Sequence, residues 1–309
     1  MNIRKQLQDI WRQRDLQLMV APWMLLVIVF SYIPMYGLIM GFQDFRLGDV
    51  IGFSRFVGFG NFLMFFRSPD FWLIIKNTFA ISLLKLLFGF PFPIILALLL
   101  NEMRGAFFKR MVQTISYLPH FISWVVVSGI ALNLMSSDGG AINDALMAFG
   151  WIESPITFMS EPRYFWGIVV ITDVWKEIGW NAIIYIAAIA SIDPELYQAA
   201  EMDGAGRLRK MWNITLSGIK PTIVILLILS VGGILNAGFE QVLLLTNNLR
   251  NAMVYDVSEI IDTYVFRVGL SQMRYSYATA VGSFKALISV SLLLIANYVA
   301  RKFSDESLF

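Results

Sequence analysis

Asp173, Lys176, Glu177, Trp180 and Asn181 stand at helical spacing inside an otherwise apolar stretch of the chain. At about 100° per residue, with Asp173 as origin, Lys176 falls at about 300°, Glu177 at about 40°, Trp180 at about 340° and Asn181 at about 80°, so a helix carries all five on one face. Farther on, Gly233, Asn236 and Glu240 repeat the theme at i, i+3 and i+7, beside Gly232 and Gly238, which can open a helix locally. An ionisable group at mid-membrane costs roughly 2.5–3.5 kcal/mol on insertion scales, so each needs a partner, an aqueous lining or a role. Carboxylates and amides that pair with hydroxyls, next to an aromatic ring, suit a sugar-like ligand. The same residues admit a second reading: an internal Asp173–Lys176 ion pair, with the rest satisfied by backbone or neighbouring helices.

The elements that must carry these groups are membrane helices. Of 309 residues, 57% are apolar and 15% aromatic, while 15% are charged against the roughly 25% usual in soluble domains. No cysteine is present, which excludes a disulfide scaffold and thiolate chemistry. Windows of about 19 residues pick out six apolar stretches, each able to cross a hydrocarbon core about 30 Å thick. They lie near 18–42, 77–100, 113–135, 164–190, 221–245 and 277–300, and the expected fold is an all-α membrane protein of six transmembrane helices in one domain, 1–309. The first stretch is too long for the apolar region of a signal peptide and lacks a small-residue cleavage site, so it reads as a retained span.

Charge sets the orientation. With the N-terminus inside, internal segments hold 13 Lys and Arg, among them Arg4, Lys5 and Arg12, against 8 outside; Lys85, Lys176 and Lys285 fall within spans. Both termini are therefore expected in the cytoplasm. Lys85 and Lys285 read as structural, snorkelling or pairing across helices. The small residues Thr279, Gly282, Ser283 and Ala286 read as a packing stripe. The external loops 43–76 and 246–276 read as interfacial or short amphipathic helices capping the bundle.

Between the fourth and fifth spans runs the cytoplasmic loop 191–220. Asp193-Pro194-Glu195 is a helix start, with Asp as N-cap, Pro at the first position and Glu in the first turn. Asp203-Gly204 is a turn, after which Arg207, Arg209 and Lys210 begin a basic helix. By turn chemistry alone this is either a plain helix-turn-helix connector or a surface offered to a partner.

The segment resembles the signature loop of binding-protein-dependent ABC importer permeases, whose pattern is E-A-A-x-x-D-G-A, five variable residues, F-x-x-I-x-L-P and then x-x-x-P. Ala199, Ala200, Asp203, Gly204, Ala205, Ile214, Leu216 and Pro221 fall in register, while Gln198, Met211 and Ser217 depart from it. In that family the loop docks into a groove of an ATPase subunit, which implies docking through Gln198, Ala199, Ala200, Asp203, Gly204 and Ala205. Gln198 can only hydrogen-bond where a Glu could form an ion pair. TDVWKEIGWNAIIY, GFEQVLLL, VSEIIDTYVFRVGL and SYATAVGSFKALISV extend the resemblance over nearly the whole chain, to the lipoprotein/polysaccharide permease branch. The resemblance implies a type I ABC importer permease of the bacterial cell membrane, importing an oligosaccharide. Its implied partners are a second, homologous permease, an ATPase pair that binds ATP and Mg, and an extracytoplasmic solute-binding lipoprotein; no cofactor is implied in this chain.

Other functions are less well served. An ion-gradient-driven secondary transporter would use Asp173, Glu177 and Glu240 as coupling carboxylates, but no internal repeat is detectable. An intramembrane enzyme would need a metal pair or a Ser-His arrangement, and His120 is the only histidine, read as an interfacial or helix-start residue. No phosphate loop exists, Gly58-Phe59-Gly60 reads as a loop turn, and a net charge of +2 gives no case for nucleic acid.

Overall fold

The structure, a computed structural model, describes residues 13–303. Arg4, Lys5 and Arg12, which entered the charge count, lie outside the described residues. Among those described there is no strand, only an isolated antiparallel bridge between Gln43 and Phe56. The described residues form two compact units, one of 13–66 with Val268–Ser283, the other of Arg67–Arg267 with 284–303.

In the first unit, α1 runs over Arg14–Phe42, and no residue of its most apolar window is buried. A π-helical turn at Ile28–Tyr32 precedes Pro34. Proline has no N–H to return to the carbonyl one turn back, and the widened turn absorbs that loss. A short helix, α2 (Gly60–Phe66), buries Phe65. Gly41 lies against the Ala280 backbone, where a Cβ would sit 3.4 Å away.

The second unit is built around one long helix. α3 (Phe71–Glu102) is interrupted by a single turn residue, Phe90, before Pro91 begins its second half. α4 (Ala106–Phe121) and α5 (Trp124–Leu134) follow, then α6 (Ala141–Ala148). α7 (Pro162–Ala190) has 29 residues, about 43 Å of helix, and packs on both halves of α3 and on α4. The loop 191–220 folds into α8 (Pro194–Met202) and α9 (Arg207–Gly218). Beyond them come α10 (Lys220–Gly232), an unwound segment, α11 (Phe239–Leu245), α12 (Tyr255–Ser258), α13 (Ile261–Phe266) and α14 (Tyr275–Phe303).

Among the described residues three helices, α1, α3 and α14, are long and apolar enough to cross a membrane, and up to five spans result if each bent pair counts as one. α7 has the length, but Asp173, Lys176 and Glu177 interrupt its apolar window. Two expected spans are not single rods. The stretch read as 113–135 bends by 102° between α4 and α5: Ile122 and Ser123 are extended, and Ser123 caps α5 by accepting from Val126 N at 3.5 Å. The stretch read as 221–245 stops at Gly232 and restarts at Phe239, with Gly238 at φ +97°. The loop 246–276 also differs from expectation. Val254, Ile260 and Ile261 are fully buried, and Ile261 N donates to Thr78 Oγ1 of α3 at 2.9 Å, so this part of the loop is core rather than an interfacial cap.

Two apolar clusters form the core of this unit. One gathers Ile81, Ala131, Phe165, Val169, Ala237, Val242 and Ile260; the other gathers Ala97, Ala182, Tyr185, Ile189 and Ile219. Ser82 and Lys85 on α3, and Thr172, Asp173, Lys176 and Glu177 on α7, lie between the two clusters along their helices.

Candidate functional site

Between the two core clusters lies a cavity of about 440 Å³, within the range typical of small-molecule sites. α3 supplies Ser82 and Lys85, α7 supplies Asp173, Glu177 and Asn181, and the unwound segment supplies Asn236 and Gly238. Phe90, Trp124 and Tyr185 add aromatic wall. Lys85 Nζ donates to Asp173 Oδ1 and to Gln241 Oε1, each at 2.7 Å. Gln241 is fully buried and donates to Val169 O and Thr172 Oγ1, both at 2.7 Å. Ser82, 5% exposed, has a hydroxyl with no hydrogen-bond partner among the described residues.

The helical face read from the sequence divides in two. Asp173, Glu177 and Asn181, within about 80° of each other, line the cavity. Lys176 and Trp180 sit on the flank toward α4. Lys176, 5% exposed, donates to the His120 carbonyl at 2.6 Å and lies 3.2 Å from Glu177 Oε1. Trp180 stacks on His120, whose Nδ1 is 2.7 Å from Glu177 Oε2. The Asp173–Lys176 pair is therefore not formed: three residues apart at the head of a wide face, each finds a nearer partner on another element, Lys85 for Asp173 and the α4 end for Lys176. α4 approaches so closely that a Cβ at Gly179 would run into the Ser116 carbonyl.

On the second stretch, Asn236 lines the cavity but Glu240 is exposed and outside its lining. The break at 233–238 resets the helical phase, so Gln241 rather than Glu240 turns inward. Sequence reasoning missed Gln241 and the place of His120 beside Glu177, whereas Lys85 makes the cross-helix pair expected of it, here in the cavity wall. An amide beside a glutamate, a lysine in the preceding apolar helix and the lone histidine carried the signal, but only their partners in space give it meaning.

Lys285 donates to Asp262 Oδ1 at 2.6 Å and to Asn236 Oδ1 at 2.8 Å, the cross-helix pairing expected of it. On α14 the buried residues are Ser276, Tyr277, Ala278, Ala280, Val281 and, near its far end, Asn297, whereas Ala286 is exposed and Gly282 has open space at its Cβ position. The small-residue stripe is thus displaced from the packed face by the helix rotation.

Outside the spans, Glu259 is 1% exposed and meets Arg267 Nε at 3.2 Å; Arg267 also donates to Tyr255 Oη at 3.1 Å. Burial pushes the Glu259 carboxyl up, and the Arg267 guanidinium pulls it back only in part. Burial likewise raises the Tyr255 phenol, and the Arg267 charge opposes that rise.

The loop 191–220 forms a cap at each end of α8. Asp193 accepts from Glu195 N at 2.9 Å. At the other end Ala205 N donates to Ala200 O at 2.8 Å and Gly204 N to Glu201 O at 3.0 Å, with Gly204 at φ +73°, the paired bonds of a left-handed helix stop. Lys210 pairs with Glu201 across the turn, and Tyr197 Oη lies 2.9 Å from Thr215 Oγ1. Gln198, Ala199, Asp203 and Gly204 are exposed, and Met202, 89% exposed, leads a surface that also holds Leu196, Leu208 and Trp212. Ala200 and Ala205 are half-buried beneath it.

Residues 89–305 match the family model described as "Binding-protein-dependent transport system inner membrane component". The chain is 46% identical over 300 residues to Protein LplB of Bacillus subtilis (strain 168), covering 96% of this chain and 92% of that protein. It is also 46% identical over 300 residues to the polygalacturonan/rhamnogalacturonan transport system permease protein YteP of the same organism, covering 96% and 91%. Among solved structures, a chain of a bacterial ABC transporter involved in the import of the acidic polysaccharide alginate superposes with a TM-score of 0.86 at 39% identity, covering 96% of this chain and 99% of that one. The bacterial alginate ABC transporter in complex with an alginate pentasaccharide-bound periplasmic protein gives a TM-score of 0.88 at 39% identity, covering 97% and 99%. With its helical fold, central polar cavity and exposed loop turn, the chain belongs to the inner membrane components of binding-protein-dependent transport systems, and is an ABC importer permease of the bacterial cell membrane.

Proposed function

We propose that this permease, with a second homologous permease, forms the translocation path for an oligosaccharide delivered by an extracytoplasmic binding protein. The observation that carries the reading is the cavity in which Asp173, Glu177, Asn181 and Asn236 converge with aromatic walls. Hydroxyl-rich rings are held by such groups. The names of the relatives, which include transporters of rhamnogalacturonan and alginate, support a complex or acidic oligosaccharide as cargo. Family membership favours this over the gradient-driven alternative.

In this reading six segments cross the membrane, among them α7, the bent α4–α5 pair and α10 with α11, and both termini lie in the cytoplasm. Gln198, Ala199, Ala200, Asp203, Gly204 and Ala205 dock an ATPase subunit, and the ATPase pair binds ATP and Mg. Exposed Met202 and Leu208 supply apolar area for that contact. The pathway is lined by Asp173, Glu177, Asn181 and Asn236; Lys176 and Trp180 hold that wall in place, and Glu240 stands apart.

The test is transport in liposomes by the complex of verified stoichiometry. Asn181→Ala is expected to slow oligosaccharide uptake while ATP hydrolysis stimulated by the loaded binding protein persists. Unchanged rate and substrate preference would move the path to another face or to the partner permease.

A further inference from the structure

The unwound segment between α10 and α11 is held by two lysines from two other helices. At its far end Gly238 takes φ +97°, and a Cβ there would lie 2.6 Å from Lys85 Nζ and 3.0 Å from Gln241 Oε1. That end is fixed, because the left-handed conformation, the buried Gln241 and the Lys85–Asp173 pair all depend on one another. Leu235 and Ala237 are buried beneath it. At its near end Gly232 lies against Leu293 of α14, and Gly233 follows with Asn236 N donating to its carbonyl at 2.8 Å. Asn236 is exposed toward the cavity, and its Oδ1 is held by Lys285 Nζ at 2.8 Å, itself anchored by both oxygens of Asp262 at 2.6 and 2.8 Å.

Non-helical backbone in a membrane persists where it is buried or lines a wet cavity, and a few such residues can absorb large dihedral changes. Here Gly238 is locked, whereas the Asn236 side chain, exposed between buried Leu235 and Ala237, is held by one bond from a charge that has a full partner without it. We propose that Lys285 is a positioning residue that, from outside the cavity lining, latches residues 233–238 through Asn236, with Gly238 and Lys85 as the fixed end of the hinge. Lys285 keeps Asp262 when the latch opens, so release strands no unpaired charge. A ligand hydroxyl in the cavity that donates to Asn236 Oδ1 takes the place of Lys285 there. The inference rests on the cavity being part of the transport path.

The native chain has no cysteine, so Ile234→Cys, placed in the cavity lining, reports the latch alone. Maleimide labelling of this chain in the assembled complex is expected to quicken roughly tenfold when Lys285→Met is combined with Asp262→Leu, as for loss of one charge-assisted hydrogen bond. Removing both charges avoids leaving one buried alone. Lys285→Arg should restore slow labelling. Asn236→Leu, which leaves the Lys285–Asp262 pair intact, should quicken it as well and serves if the double variant does not assemble. Unchanged labelling in the variant that assembles overturns the latch, and so does loss of assembly in both, since the bond would then be a folding contact. Oligosaccharide uptake by the native complex in the same vesicles reports separately on the transport reading.

Discussion

His120 lies flat on Trp180, with ring centroids 4.3 Å apart and planes 1° from parallel. The stack joins the end of α4 to the middle of α7, next to the 102° bend and directly behind Glu177 of the cavity wall. It makes Trp180 a strut rather than a liner.

Trp180→Ala is accordingly expected to act on stability first. Loss of the stack and its buried area should cost about 1–3 kcal/mol and lower the thermal midpoint of the purified complex. Asn181→Ala, one residue on and facing the cavity, should leave that midpoint nearly unchanged. Equal midpoints for the two variants would place Trp180 with the ligand instead.

At Gly204 nothing stands within 4 Å of where a Cβ would be, so the only obstacle to substitution is φ +73°. Gly204→Val should cost about 1–3 kcal/mol of local strain, unwind the stop after α8 and reduce co-purification of the ATPase, while Gly204→Asn, tolerant of this conformation, should keep it. Full ATPase recovery and transport with Gly204→Val would reduce the loop to a connector.

Glu259 gives a pH dependence with a definite sign. Its folded value is raised above the ordinary 4.5, chiefly by burial, so the folded chain binds that proton more tightly than the unfolded one. The associated stability is present below the unfolded value and is lost as pH rises through the folded value. Arg267 limits the loss. Arg267→Gln should raise the carboxyl further, so the thermal midpoint of the variant, compared between pH 5 and pH 8, should fall more steeply than that of the native complex. Parallel pH profiles would mean that Arg267 does not compensate the buried charge.

Much of this was legible in one dimension. Composition and window hydropathy point to a helical membrane protein, and the spacing of Asp173, Glu177 and Asn181 survives because α7 is unbroken, so a helical wheel stays in phase along it. Asp193, Pro194 and Gly204 mark the ends of α8 because capping is a local matter of side-chain reach and allowed φ.

The rest depended on long-range placement. Glu240 and Gln241 exchange roles because the break at 233–238 rotates everything after it, and a wheel drawn through a break has no meaning. The bend after Pro119 turns one expected span into two helices, and it brings the lone histidine to Glu177, 57 residues away. Which carboxylate each lysine takes is likewise settled between helices: Lys85 reaches Asp173 across 88 positions, and Lys285 reaches Asp262 across 23. Period and capping act over a turn or two and are written in neighbouring residues. Pairing of charges in a low-dielectric interior is decided by whichever partner the packed helices bring within about 3 Å, and no local pattern encodes that distance.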